Sequence, residues 1–384
     1  MARKRSPVDV DQLRSWNLIA AFRARVLPAL EQSPLQASEG DPRRNLHALD
    51  YFCALLLAMF NPLIGSLRAL AAVSHSKKMR QVTAAPFAAS SFSEGQHLFA
   101  PKILSRTVRQ LVQEVHAKGL GQEGDPRVRQ ALKTLTAVDG TIWRAVNRMV
   151  WAPAAGHGQA VRLHLQFSVF DQTPQEWTIT PANRCEREIF SQHLQAGAFY
   201  VADRLYAGRH DFLEELRLAG ADFVFRLNNN TILEPVGPER PLSPADRKAG
   251  VVWDRLMRLG VHGQGPVLRV VRLEVGGEVF HLVTSREDLE AELIGLIYRQ
   301  RWQIELFFKW IKTILNGRHW FAESPAGVEL QLYSVLICAL LLMLWTGQRP
   351  NKRMIEALRF FQMGWLDEED LALLLRRAQP RQKS

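Results

Sequence analysis

Cysteine is scarce in this chain: Cys53, Cys185 and Cys338 are the only three in 384 residues, odd in number and far apart. With no C-x-x-C and no zinc-like Cys/His spacing, a disulfide framework and a structural zinc site both drop out, and a reducing compartment is expected. His157, His164, His193 and His319 also lack metal-ligand spacing and are read as structural. No G-x-x-x-x-G-K-[ST] loop occurs, so nucleotide dependence is not expected. The first residues, MARKRSPVDVDQLR, are basic but have no apolar run behind them, which argues against a secretory leader. Long hydrophobic runs are missing too. YFCALLLAMF from Tyr51 and LYSVLICALLLMLW from Leu332 fall short of the roughly 18 residues of a membrane span and are expected as buried helices. A peripheral membrane protein would carry a basic amphipathic helix, whereas the basic residues here are dispersed.

What is abundant is positive charge. Forty-nine Lys and Arg against 38 acidic residues leave a formal charge of +11, a sequence-independent reason to expect a polyanionic partner, nucleic acid first and an anionic membrane surface second. With 47% hydrophobic and 23% charged residues, the chain can bury a substantial core, and its length favours two or three domains.

The first third reads as helical: LRSWNLIAAFRARVLPAL, LDYFCALLLAMF, SLRALAAVSHSKKMRQV and ILSRTVRQLVQEVHAKG, separated by Pro, Gly and Ser clusters. Arg68, Lys77, Lys78 and Arg80 form its densest basic group, facing either DNA phosphates or solvent. After GQEGDP at 121–126 the texture changes to β-branched and aromatic runs. KTLTAVDGTIW is a short strand with Asp139 at its exit, and no acidic residue neighbours it in sequence. VRLHLQFSVFD and EWTIT are two further strands, and FYVADRLYAG repeats the first pattern with Asp203 after an apolar strand. Asp171 also follows a strand. Any one such aspartate, taken singly, is a turn-former or helix N-cap.

Between 298 and 312 the chain reads YRQRWQIELFFKWIK. At about 100° per helical residue, Tyr298, Arg301, Glu305 and Lys312 fall within an arc of about 60°. Leu293, Ile297, Ile304, Phe308, Ile311 and Leu315 form an apolar stripe beside it. One helix is expected to bury one edge and present, along the next, a carboxylate ringed by Arg299, Arg301, Lys309 and Lys312. A solvated face would mix Glu and Lys for i, i+4 pairing. A single Glu among cations instead suits a metal-binding carboxylate flanked by groups that hold phosphate.

The pattern Y-x2-R-x3-E-x6-K resembles the signature of DDE transposases of the insertion sequence four family. V-D-G-T at 138–141 resembles that family's first-Asp box, and V-A-D-R-x-x-Y, ending at Tyr206, its second, which favours Asp203 over Asp171. FVFRLNNNT from Phe223 and HWFAESPAGVELQLYSVLICALLL also look like family sequence, so the resemblance covers about 135 to 345. It implies an α/β fold: a ribonuclease-H-like catalytic core, a mixed sheet flanked by helices, interrupted by a β-rich insertion and preceded by an all-helical N-terminal domain. The expected boundaries are 1–125 for the helical DNA-binding domain, 130–210 for the first part of the core, 211–291 for the insertion, 292–346 for the second part with the Glu helix, and 347–384 for a basic tail. Within the insertion, PVLRVVRLEVGGEVFHLVTS carries a G-G hairpin signal.

The resemblance also implies chemistry. Asp139, Asp203 and Glu305 become the catalytic and metal-ligating carboxylates for two Mg²⁺ ions, with Mn²⁺ as substitute, since in-line displacement at a phosphodiester needs hard oxygen ligands around two ions roughly 3.5 to 4 Å apart. Arg301, Lys309 and Lys312 would clamp phosphates. Tyr298 would donate to phosphate or pack beneath the site, and Trp302 or Trp253 would stack an unpaired base. The implied partners are double-stranded DNA, both the terminal inverted repeats of an element and its target, and a second copy of the chain as a homodimer, with no membrane and no nucleotide. The implied setting is the bacterial cytoplasm, at the nucleoid. Two other readings keep less of this: a structure-selective nuclease without strand transfer, and a catalytically silent DNA-binding regulator or inhibitor. The second would have no need of three carboxylates.

Overall fold

In the computed structural model the described residues are 18–33, 44–61, 63–121, 124–156, 158–260, 265–315, 320–347, 349 and 351–377. The basic stretch MARKRSPVDVDQLR, His157, His319, Arg381 and Lys383 lie outside them, as does the side chain of Arg376. The chain divides into two compact units, one of Met1–Gly121, Ala145–Trp151 and Phe308–Ser384, the other of Gln122–Arg144 and Ala152–Phe307.

The first unit begins with helices α1 (Leu18–Glu31), α2 (Ala48–Phe60), α3 (Leu67–Ser74), α4 (Ala89–Leu98) and α5 (Pro101–Ala117). α5 shows why they form: Pro101 opens it where no helical N–H is needed, and Ile103, Leu104, Thr107, Val108, Leu111 and Val115 recur every three or four residues as its buried stripe. Its polar edge is tied to α1, where the Arg25 guanidinium meets the Glu114 carboxylate at 2.8 Å. Arg68, Lys77, Lys78 and Arg80 are all exposed.

The second unit opens with α6 (Pro126–Ala131) and carries nine strands: β1 (Thr136–Arg144), β2 (Ala160–Ser168), β3 (Thr173–Pro181), β4 (Phe199–Ala202), β5 (Asp222–Arg226), β6 (Leu233–Pro235), β7 (Val251–Leu259), β8 (Val267–Val275) and β9 (Glu278–Thr284). They form one mixed sheet in the order β3-β2-β1-β4-β5-β9-β8-β7-β6. Helices α7 (Glu186–Ser191), α8 (His210–Leu218), α9 (Pro244–Lys248) and α10 (Ala291–Gln300) connect and flank it. β1, β4 and β5 run parallel, while β9 joins β5 antiparallel. The strands of the expected insertion therefore continue the same sheet. Its G-G signal is a two-residue hairpin between β8 and β9, with Gly276 at φ 62° and Gly277 at φ 82°, a twist that L residues adopt only with strain. An aromatic core including Phe190, Tyr200, Phe212, Phe223 and Phe225 fills the space beneath β4 and β5.

β1 is longer than expected. Asp139 is not at its exit, because pairing with β2 continues to Arg144↔Ala160 while pairing with β4 stops at Val138↔Ala202. From Asp139 onward β1 is hydrogen-bonded on one side only, and that open flank is where the site lies.

On β2, His164 is buried; its Nε2 sits 2.8 Å from Thr180 Oγ1, and its Nδ1 has no partner. Burial, aided by Arg162, pushes its pKa down to about 4. The unfolded chain therefore takes up the proton first, and stability contributed by neutral His164 is present above pH 6.5 and lost as the pH falls toward 4. Relative to His164→Gln, the wild type is expected to lose about 2 kcal/mol between pH 7 and pH 5, measured by urea denaturation of both proteins at each pH. Parallel curves would show that His164 does not titrate in this window.

The chain continues through α11 (Trp302–Leu315), which begins in the second unit and ends in the first, then α12 (Pro325–Thr346), α13 (Lys352–Gln362) and α14 (Glu368–Arg377). α12 corrects a sequence expectation. The apolar run from Leu332 was too short for a membrane span, but Pro325 at the helix start and Gly347 in the left-handed conformation at its end delimit 22 residues, long and apolar enough to cross one. In this fold the most apolar stretch is 89% buried inside the protein, and α12 packs against α2, α4 and α5 as the core of the helical unit.

Candidate active site

Parallel pairing of β1 with β4 places Asp139 and Asp203 side by side: Val138 pairs with Ala202, and each aspartate is the next residue on its own strand. Asp203 ends β4 in a turn, its Oδ1 accepting the Leu205 N–H at 2.9 Å. Asp139 Oδ1 accepts the Gly140 N–H at 2.7 Å. Burial pushes the Asp139 carboxyl up to about 7, the Gly140 hydrogen bond pulls against this, Asp203 and Glu186 add to the rise, and Arg301 opposes it. Asp171, the rival for second aspartate, lies in the turn after Ser168, which pairs with Thr136 at the start of β1. There it holds Ser168, with Oδ2 2.7 Å from the hydroxyl.

Glu305 is half-buried near the start of α11, and Arg301 Nη1 meets its Oε1 at 2.6 Å. Burial would lower the Arg301 pKa, but Tyr298, Glu305 and Asp139 outweigh it and hold the guanidinium above its ordinary value. Arg301 therefore links the Glu to the first Asp, and it also lies 5.6 Å over the Tyr298 ring. The expected single helix is in fact two. α10 ends at Gln300 and α11 starts at Trp302, with Arg301 N–H bonded to the Tyr298 carbonyl and Ile304 N–H to the Arg301 carbonyl, an i, i−3 pattern that tightens the junction. The periodicity survives because Arg301 keeps helical backbone angles, φ −52° and ψ −33°.

Trp302 is 46% exposed. It borders a groove of about 800 Å³ whose lining includes Phe280, Tyr298, Arg299 and Lys248. Trp253 packs partly into the core beneath β4 and β5 and lies 5.7 Å from the His281 ring. Lys309 and Lys312 are exposed on the later turns of α11, in the helical unit. The second unit thus holds Asp139 and Asp203 at the ends of neighbouring pairings, and Arg301 against Glu305 and Tyr298, while the two lysines belong to the other unit. Among the other expected structural histidines, His193 Nε2 lies 3.3 Å from Thr178 Oγ1.

Sequence reading missed Glu186. It is an acidic neighbour of Asp139 and Asp203, 47 residues along the chain from the first, and opens α7. Its only sequence signals lay in residues credited to other roles, Gly140 and Tyr206.

The donor set is entirely carboxylate, which suits a hard divalent cation rather than a soft one. Burial is the main cause of the raised Asp139 carboxyl, and the neighbouring Asp203 and Glu186 carboxylates add to it, so a bound cation would lower it. Among the described residues no three acidic, His or Cys side chains already stand close enough to share one ion. Arg301 on Glu305 supplies the positive charge that a metal would bring.

Comparison with known proteins identifies the family. Residues 130–341, more than half the chain, match the family described as Transposase DDE domain. The protein y4zB of Sinorhizobium fredii, whose name places it among transposases, is 27% identical over 276 residues, 71% of this chain and 76% of its own length. A Geobacillus stearothermophilus protein named for the transposase of insertion sequence element IS5377 is 30% identical over 59% of this chain and 60% of its own. The transposase for insertion sequence element IS421 of Escherichia coli is 25% identical, over 55% of this chain and 65% of its own.

Proposed function

We propose that this chain, which belongs to the DDE transposase family, binds the ends of an insertion sequence and carries out metal-dependent strand cleavage and strand transfer by a cut-and-paste route. The observation that carries this reading is that Asp139 and Asp203 each directly follow the last paired residues of two parallel strands, Val138 and Ala202, with Arg301, the ion-pair partner of Glu305, acting electrostatically on Asp139. On this reading the strand order β3-β2-β1-β4-β5 is a ribonuclease-H-like core, β6 to β9 are its insertion, and the helices before residue 121 bind DNA.

Family membership implies dependence on a divalent metal, and we assign Asp139, Asp203 and Glu305 as the residues that hold it, as two Mg²⁺ ions or Mn²⁺ in their place. When bound, such ions supply Lewis-acid activation of the attacking oxygen and the leaving oxygen of a phosphodiester. The chain's own contribution is positional. Two strands joined by backbone hydrogen bonds hold the aspartates at a fixed separation, and the sheet excludes water from one side of Asp139. Arg301, released from Glu305, would offer its fork to a phosphate beside the scissile bond. Lys309 and Lys312 add point charges further along the strand, and Tyr298 lends a ring and hydroxyl beside Arg301. Trp302, exposed at the groove rim, is suited to stack a nucleotide base.

The partners on this reading are double-stranded terminal repeats, target DNA and a second copy of the chain, in the bacterial cytoplasm at the nucleoid. A silent DNA-binding regulator is disfavoured by Asp139, held beside the like charges of Asp203 and Glu186, an arrangement that lowers stability and that binding alone would not require.

The test is cleavage and joining of a labelled duplex bearing the element's terminal repeat, with Mg²⁺ or Mn²⁺, for wild type and Glu305→Gln. Metal-dependent nicking and joined product, both lost in the variant while DNA binding persists, is the expected result. A nicked but never joined substrate in the wild type would favour the structure-selective nuclease. Equal behaviour of the two proteins would remove Glu305 from the chemistry.

A further inference from the structure

Glu186 is the junction of three elements that carry the site. Its Oε1 meets Arg162 Nη1 of β2 at 2.6 Å, and its Oε2 accepts the Tyr206 hydroxyl at 3.1 Å. Tyr206 is fully buried and lies three residues after Asp203. The third contact is an absence of side chain. A Cβ at Gly140 would stand 2.6 Å from Glu186 Oε2 and 3.2 Å from Arg162 Cδ, so the carboxylate as it lies is packed over β1 where any side chain at residue 140 would press on it. Gly140 follows Asp139 directly and donates its N–H to it. One carboxylate therefore touches the strand of the first aspartate, the neighbouring strand, and the turn behind the second.

Both oxygens of Glu186 are engaged by protein groups, and Arg162 offsets part of its charge, the remainder of which adds to the rise of Asp139. A metal ligand would need at least one oxygen turned to the ion.

Resting on the reading of Asp139, Asp203 and Glu305 as the metal-holding set, we propose that Glu186 is a positioning residue: through Gly140, Arg162 and Tyr206 it fixes the spacing of Asp139 and Asp203 and so sets the affinity of the site for divalent metal. The glycine of the V-D-G-T box and the tyrosine of the V-A-D-R-x-x-Y box then share one cause, since both receive the same carboxylate.

The test is divalent-metal affinity of the full chain without DNA, read by terbium luminescence and its displacement by Mg²⁺. Groups that hold metal ligands in place through hydrogen bonds typically govern affinity by about 10- to 100-fold. Glu186→Ala is expected to weaken Mg²⁺ binding by at least about 10-fold. Tyr206→Phe, which leaves every charge in place and removes one hydroxyl, is expected to weaken it severalfold. The double variant Glu186→Gln, Tyr206→Phe should be no weaker than Glu186→Gln alone, because the two act through one contact. Exposed Glu188→Ala, on the same helix, should change nothing.

Unchanged affinity in both Glu186→Ala and Tyr206→Phe would overturn the proposal. So would a loss in Glu186→Ala as complete as that in Asp139→Asn, which would make Glu186 a ligand. Should Glu186→Ala fail to fold, Tyr206→Phe decides alone. Asp139→Asn and Asp203→Asn serve as the independent check: if neither disturbs terbium binding, the metal-site reading itself fails whatever Glu186 does.

Discussion

Asp203→Asn is expected to lower strand cleavage by about 10³-fold or more, on the order of 4 kcal/mol of transition-state stabilisation, while Asp171→Asn leaves it within about threefold, the range of a change that stays outside the reacting centre. The two aspartates look alike in sequence, each closing an apolar strand. The register separates them. Asp203 follows Ala202, which pairs with Val138, so its carboxylate neighbours Asp139. Asp171 follows Ser168, which pairs with Thr136 at the start of β1, three residues before Asp139, and its carboxylate is taken up by the Ser168 hydroxyl. Losing a carboxylate from a shared metal site removes a ligand and a charge together, whereas Asn at 171 can still accept the serine hydrogen bond. Single-turnover cleavage of the labelled duplex, with DNA binding followed by mobility shift, measures both variants. Comparable losses in the two would mean that the site extends to the turn after β2 and would break the assignment.

What could be read from the residues was local, and what could not was tertiary. The strands leading into Asp139 and Asp203 were legible because apolar β-branched and aromatic runs precede them, although β1 runs on past Asp139 to Arg144, and the G-G hairpin because two positive-φ positions demand glycine. The face shared by Tyr298, Arg301 and Glu305 followed from helical spacing, and it tolerated the junction at Arg301 because that residue keeps helical angles. The same spacing drew Lys309 and Lys312 into the ring of cations, since a helical wheel has no means of showing that the helix passes from one unit into the other.

Glu186 was hidden because nothing near it in sequence is unusual. Its meaning comes from a glycine 46 residues before it and a tyrosine 20 after it. The length of α12 was hidden for a different reason. PAGVELQ reads as a polar lead-in, but Ser324 caps it, its hydroxyl accepting the Gly327 N–H at 3.1 Å, and so extends the helix ahead of the apolar run.

Asp254→Leu is expected to destabilise the protein by about 3 to 5 kcal/mol, the usual consequence of leaving one partner of a buried ion pair uncompensated. Arg269 and Asp254 are 2% and 5% exposed and form a two-pronged pair at 2.9 and 2.7 Å between β8 and β7. The guanidinium has a second task. Its Nη1 donates to the carbonyls of Arg286 and Leu289, at 3.0 and 2.6 Å, in the segment that leads from β9 to α10. The double variant Asp254→Leu, Arg269→Met removes both charges, and an isolated pair replaced in this way would come close to wild-type stability. Here it should not, because those two carbonyls lose their donor, a deficit of about 1 to 3 kcal/mol. Urea denaturation of the wild type, the single and the double variant separates these cases, and a double variant as stable as wild type would reduce Arg269 to a simple ion-pair partner. Leu289 is two residues ahead of α10, the helix that bears Tyr298 and leads into Arg301 and Glu305. The double variant should therefore also cleave DNA more slowly than its remaining folded fraction accounts for, since the approach to the glutamate helix is no longer pinned to the sheet that holds the aspartates.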